Sequence, residues 1–202
     1  MRIVTGRYKG RHFDIPRSFK ARPTTDFAKE NIFNVLQGYI DFEDTSALDL
    51  FAGTGSISLE LLSRGCSNVV SVELDRDHAR FIQQCVEKLA GNRNANDNLN
   101  DNLNDNERRK TNNENGKVLL DHTLIRGDVF KFLKSCKRQF DFIFADPPYA
   151  LPTLPEIPDK ALPLLKDGGI FVFEHGKQND FSSHPRFIDH RSYGSVNFSI
   201  FR

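Results

Sequence analysis

Apolar positions along this chain keep changing period, from short runs that suit strands to i, i+4, i+7 spacings that suit helices. Ile3-Val4-Thr5 and His12-Phe13-Asp14-Ile15 are strand-like pieces around Gly6-Arg7-Tyr8-Lys9-Gly10, whose two glycines permit a tight reversal. A basic hairpin with an aromatic at its tip is expected. Thr25 or Asp26 can then cap a helix in which Ala28, Ile32, Val35, Leu36 and Tyr39 form one apolar face, ending near Gly38. Ala47 to Phe51 reads as a short strand, Ala52-Gly53-Thr54-Gly55 as its turn into a helix from about Ser56 to Gly65, and Asn68 to Glu73 as the next strand. Asp75 caps a helix carrying Ala79, Ile82, Val86 and Leu89. Thr123 to Ile125 is followed by a helix to about Cys136, and Phe140 to Ala145 is a strand broken in character by Asp141 alone. Pro152, Pro155, Pro158 and Pro163 leave room only for a short, late helix from about Asp159. Gly168 to Glu174 is a buried strand, and Phe187 to His190 with Val196 to Phe201 suggest an antiparallel pair around Gly194. Strands and helices in this alternation give a doubly wound α/β sheet, in which ligands sit beyond the strands' carboxyl ends, near the switch point.

Composition narrows the class. A length of 202 residues with 38% hydrophobic content suits one buried domain with a small appendage. No apolar run approaches a membrane span and the first residues lack a signal-peptide core, so a cytoplasmic location without membrane association is expected. Cys66, Cys85 and Cys136 are odd in number and widely spaced and read as reduced packing residues, while the six histidines show no ligand spacing, so no metal is expected. The net charge of +1 conceals an uneven distribution: residues 1 to 22 hold seven basic side chains against Asp14 alone, the footprint of a phosphate backbone. Residues 92 to 115 contain eleven asparagines and too few apolar side chains to offset ordering, and read as a disordered insert.

The candidate chemistry collects on the carboxyl ends of the strands. Gly53-x-Gly55 lets backbone approach a ligand at a helix N-terminus, and Glu73, 20 residues after Gly53, is placed to accept both hydroxyls of a ribose. A dinucleotide site would want a third glycine where Ser58 stands, which disfavours a nicotinamide oxidoreductase. Asp128 is positioned either to accept an exocyclic amine such as adenine N6 or to cap the following helix. In Asp146-Pro147-Pro148-Tyr149 the prolines end the strand, leaving a carboxylate on a stiff loop beside an aromatic face, an arrangement that grips a planar amine. Asp49, Glu73, Asp128 and Asp146 thus form an acidic rim. Glu174-His175, at the end of its own strand, reads as structural.

In this order, Asp49-x-Phe51-x-Gly53-x-Gly55, Glu73, Asp128 and Asp146-Pro147-Pro148-Tyr149 resemble the S-adenosylmethionine-dependent amino-methyltransferases of the seven-strand, Rossmann-like class I fold. Arg2-Ile3-Val4 through Gly10-Arg11, Arg22-Pro23-Thr24-Thr25-Asp26 and the Phe33-Asn34 helix are similar to the RsmD-type branch, which acts on a guanine N2 of 16S ribosomal RNA. The resemblance covers nearly the whole chain except residues 92 to 115. It implies a hairpin and helix over residues 1–40 and a methyltransferase domain over 41–202. It implies that Arg22, Thr24, Asp49, Phe51, Gly53, Gly55, Glu73, Leu74, Asp128 and Val129 hold S-adenosylmethionine. Asp146, Pro147 and Tyr149 would then be catalytic, Pro148 would touch the base, and Arg7, Lys9 and Arg11 would grip RNA of an assembling small subunit, with the protein a monomer. The rivals are a DNA adenine-N6 methyltransferase, disfavoured because the chain lacks an insertion large enough to read duplex sequence, and a non-catalytic RNA-binding ribosome-assembly factor. A protein-amide methyltransferase is also disfavoured, since its pocket is headed by asparagine in place of Asp146.

Overall fold

The computed structural model describes residues 1–19, 26–91 and 120–202; Arg22, Thr24 and the asparagine-rich stretch lie outside the described residues. Helix α1 spans Asp26–Leu36, followed by β1 Ser46–Leu50, α2 Ser56–Ser63, β2 Asn68–Glu73, α3 Arg76–Gly91 and β3 His122–Arg126. The chain continues through α4 Val129–Ser135, β4 Phe140–Ala145, α5 Ile157–Ala161, β5 Leu165–His175, β6 Phe187–Tyr193 and β7 Val196–Phe201. The strands form one seven-stranded sheet in the order β3-β2-β1-β4-β5-β7-β6. Its first five members are parallel, and β7 runs antiparallel to both β5 and β6. The doubly wound expectation therefore holds, with the reversal of strand order between β1 and β4.

The inner strands are apolar throughout because both sheet faces are covered. Along them the side chains alternate between two cores. Ala47, Val69, Phe142, Phe144, Val172 and Ile200 face the helices α1 to α3. Leu48, Leu50, Val72, Ile143, Ala145, Phe171 and Phe173 face α4 and α5. The one polar interruption of β4, Asp141, lies at the strand's beginning, where it accepts bonds from Ser46 N (2.9 Å) and Lys166 Nζ (2.8 Å). Helix α3 descends from the carboxyl rim to the opposite edge of the sheet, where it ends at Gly91, and Leu120 lies at that same edge just before β3.

Two local expectations change. The proline-rich stretch is helical earlier than Asp159, because Pro155 and Pro158 occupy first-turn positions, where a missing N–H costs no bond. The amino-terminal hairpin forms by a single bridge, Arg2 with His12, supported by Ile3 N to Arg11 O (3.0 Å) and Gly10 N to Ile3 O (2.9 Å). Tyr8, the aromatic at its tip, is buried on α2, where Ser63 Oγ accepts from Tyr8 N (2.9 Å) and Ser63 O from Arg7 N (2.7 Å). Gly6 adopts φ +84° at this contact, and a Cβ there would meet Ser63 O at 1.9 Å.

Beneath the hairpin a buried ionic cluster ties three segments together. Glu60 of α2 accepts from Val4 N (2.8 Å), Thr5 N (3.0 Å) and Arg64 Nε (3.0 Å). Lys29 of α1, with no exposed surface, stands 3.9 Å from Glu60 and donates to Arg2 O (2.6 Å) and Ser56 Oγ (3.0 Å). Burial holds the Lys29 ammonium below its ordinary pKa, with the Glu60 charge opposing it. The apolar residues of the hairpin and α1 join the same core as α2 and α3.

Candidate active site

A cavity of about 1420 Å³ opens over the carboxyl ends of the central strands. It straddles the switch between β1 and β4, where a doubly wound sheet leaves a crevice. On one side, β1 ends at Leu50 rather than Phe51, because Phe51 turns to φ 61°, a left-handed conformation uncommon for so large a side chain. That twist starts the loop through Gly53 to α2. A Cβ at Gly53 would meet only Phe51 O, at 3.8 Å, so the backbone there is open for close approach from the cavity. Gly55 is needed for a different reason: at φ +76° it caps α2, and a Cβ would press on Ile82 at 2.9 Å.

Glu73 closes this side. Its Oε2 accepts from Gly53 N (2.6 Å) and its Oε1 from Asp75 N (2.7 Å), so the carboxylate is oriented by backbone. A carboxylate offers about four acceptor positions, which leaves capacity for ligand hydroxyls. Asp49 forms the floor, 2% exposed, where it accepts from Ser58 N (3.0 Å) and from the Ser58 hydroxyl. Burial pushes its carboxyl up to about 7 against those bonds, with the Glu73 charge adding to the rise. Ser58 Oγ also shares a bond with Ser71 Oγ (2.6 Å), which in turn bonds His122 Nε2 (2.8 Å). Where a dinucleotide fold packs helix to strand through glycine, this chain uses a buried polar chain.

The other side is built on β4. Asp146 follows the strand directly, its N donating to Leu50 O (3.3 Å), and Pro147 is buried while Pro148 is exposed. A turn closed by Leu151 N to Pro148 O (2.9 Å) brings Tyr149 back over the cavity. The Tyr149 hydroxyl donates to Glu174 Oε1 at 2.8 Å. Burial and the neighbouring Glu174 and Asp146 carboxylates hold that phenol well above its ordinary pKa, so it remains a donor.

The structure thus brings Asp49, Phe51, Gly53, Glu73, Leu74, Val129, Asp146, Pro147, Pro148 and Tyr149 around one cavity. Gly55 and Asp128 are not among the lining residues; Asp128 Oδ1 caps α4 by accepting from Lys131 N (2.9 Å). Arg7 and Lys9 are exposed on the hairpin, and neither they nor Arg11 line the cavity. Glu174, read from sequence as structural, is a wall of the cavity, as is Asp26 at the end of the Arg22-to-Asp26 motif, and Ser195 and Val196 add a segment that motif spacing did not indicate. Glu174 obeys the same strand-end rule as the other acids and could have been found by it. Among the described residues no group of three or more His, Cys, Asp or Glu could hold a metal ion, and no helix is long and apolar enough to cross a membrane.

The family model described as Conserved hypothetical protein 95 matches residues 1–122 and 110–202. The ribosomal RNA small subunit methyltransferase D of Haemophilus influenzae is 32% identical over 151 residues, 74% of this chain and 64% of that protein, so the chain spans under two thirds of this relative's length. The protein of the same name from Escherichia coli K12 is 29% identical over 169 residues, 84% of this chain and 68% of its own length. A solved hypothetical protein of Thermus thermophilus superposes with a TM-score of 0.74 at 24% identity, covering 100% of this chain and 99% of that one, and shares the fold. The names of the two enzymes are those the RsmD-type resemblance anticipates.

Proposed function

This chain belongs to the family described as Conserved hypothetical protein 95, and from that premise and the site's geometry we propose that it is a cytoplasmic, monomeric S-adenosylmethionine-dependent methyltransferase acting on the exocyclic N2 of a guanine in small-subunit ribosomal RNA. One observation carries the reading: Asp146-Pro147-Pro148-Tyr149 faces the same cavity as Gly53 and Glu73, which puts an amine-gripping end and a nucleoside-binding end in one crevice. The volume suits both ligands together, being larger than the usual small-molecule pocket.

The residues fit the cofactor. Glu73 accepts the ribose hydroxyls with the acceptor capacity its backbone bonds leave, Leu74 and Phe51 supply apolar contact, and Gly53 admits the ligand to the backbone. Asp49 supports the glycine turn from below through Ser58. Val129 lines the wall where a base would lie, with Asp128 beside it capping α4 and keeping acceptor capacity for an amine; Arg22 and Thr24 complete the cofactor site in this proposal. When bound, S-adenosylmethionine supplies a methyl group already activated on a sulfonium.

This chain's own residues supply the rest. A base amine is a poor nucleophile because its lone pair is delocalised into the ring. The Asp146 carboxylate and the Pro147 carbonyl accept its two hydrogens and turn the lone pair out of conjugation. Tyr149, with Pro148, holds the ring plane, and the phenol is itself fixed by Glu174. Orientation and preorganised acceptors carry the acceleration. Such a pocket cannot reach a stacked base, so the guanine enters flipped out or from an unpaired loop, with Arg7, Lys9 and Arg11 gripping phosphate.

The test is transfer of labelled methyl to total RNA and to partly assembled small subunits from cells lacking this protein, followed by nucleoside analysis. Labelled N2-methylguanosine is expected, and Asp146→Ala is expected to lower kcat by about 10²–10³-fold while cofactor binding persists. Label in DNA adenine, or none despite cofactor binding, would overturn the proposal.

A further inference from the structure

Glu174 is 3% exposed and follows the Ala145–Phe173 pair in the β4–β5 register, so it stands next to Asp146 on the adjoining strand. Both residues line the cavity, and the Tyr149 hydroxyl donates to Glu174 Oε1 at 2.8 Å. The stacking ring and this second carboxylate are therefore one rigid unit.

The proposed amine grip uses Asp146 and the Pro147 carbonyl for the two hydrogens of N2. A guanine carries one more donor directly beside that amine, N1–H, whereas an adenine presents a bare lone pair at N1. The prolines following Asp146 have no N–H to offer such a lone pair. A carboxylate accepts from N1–H and repels a lone pair, and with about four acceptor positions it can do so while receiving the Tyr149 hydroxyl.

We infer that Glu174 is the specificity-determining residue of the site, accepting the N1–H of the guanine whose N2 amine Asp146 holds and rejecting bases with an unprotonated N1. The inference rests on the guanine-N2 reading and adds the base edge that is read. The Tyr149–Glu174 bond sets the plane in which N1–H must arrive, so recognition and stacking are set by one contact.

The experiment uses small subunits reconstituted with 16S RNA in which the methylated guanosine, once mapped, is replaced by 2-aminopurine riboside. This analogue keeps the N2 amine but has a lone pair at N1. Wild type is expected to favour guanosine over the analogue by at least about 10²-fold in kcat/KM, since sites built to hydrogen-bond a group reject analogues lacking it by up to about 10⁴–10⁵-fold. Glu174→Gln keeps the shape and gains an amide donor for N1; the ratio is expected to fall about tenfold or more. Tyr149→Phe removes the bond that fixes Glu174 and is expected to lower the ratio as well, by less than Glu174→Gln. An unchanged ratio in Glu174→Gln, with guanosine still methylated by wild type, overturns the inference and spares the parent reading. Wild type that methylates neither substrate overturns both. Should Glu174→Gln not fold, the wild-type ratio decides alone, and a value near one is fatal.

Discussion

Asp49 bears its carboxyl on the cavity floor at 2% exposure, held by two bonds from Ser58 and pushed up to about 7 by burial. An acid whose folded pKa lies above its unfolded value of 3.8 binds its proton more tightly in the native chain. Its contribution to stability is complete below about pH 4 and is lost as the pH rises through 7. Asp49→Asn removes the titration while keeping an acceptor for the Ser58 amide. Between pH 5 and 8 the wild-type unfolding midpoint is therefore expected to fall relative to that of Asp49→Asn. Parallel curves would refute the assignment. Sequence could place Asp49 near a strand end, but its partner Ser58, the position that excluded a dinucleotide turn, shows its purpose only through contacts with Asp49 and Ser71 on separate elements.

Among the elements, α2 is the pivot. All eight of its residues are buried, beneath the hairpin on one side and against the sheet on the other. Periodicity located this helix but could not reveal that Glu60, an acid in an apolar helix, would take the Val4 and Thr5 amides from 56 and 55 residues away. Local pattern carries no record of partners so distant, and the same gap hid Tyr8's burial and the Tyr149–Glu174 bond. The glycine turn, Glu73 and Asp-Pro-Pro-Tyr were legible because their spacing within one strand and turn dictates where they fall. Removing Glu60 breaks the buried ion pairs to Lys29 and Arg64 and leaves Lys29 to the more exposed Asp26 at 3.8 Å, at a cost of about 3–5 kcal/mol. Glu60→Ala should also loosen the hairpin selectively: amides of Ile3, Gly10 and Phe13 are expected to exchange hydrogen much faster while β1 and β4 stay protected. Uniform loss of protection would mean that the cluster supports the whole fold instead of one docked segment.

At the scale of the molecule, the cavity residues gather on the carboxyl rim of the sheet, away from the opposite edge. The cavity takes walls from Met1 through Val196, so the carboxyl edge is crowded by segments from nearly the full chain. The far edge is where α3 ends at Gly91 and β3 begins at His122, paired with Val69 at the start of β2. Four residue steps along β2, from Val69 to Glu73, separate that edge from the rim, a span of about 13 Å at about 3.3 Å per residue. Closing a loop costs only about 0.6 kcal/mol for each doubling of its length. On the proposed function, exchanging residues 92–119 for a fluorophore or affinity handle of another length is expected to leave methyl transfer within about twofold of the parent, because the flanking Gly91 and Leu120 stand outside the cavity lining.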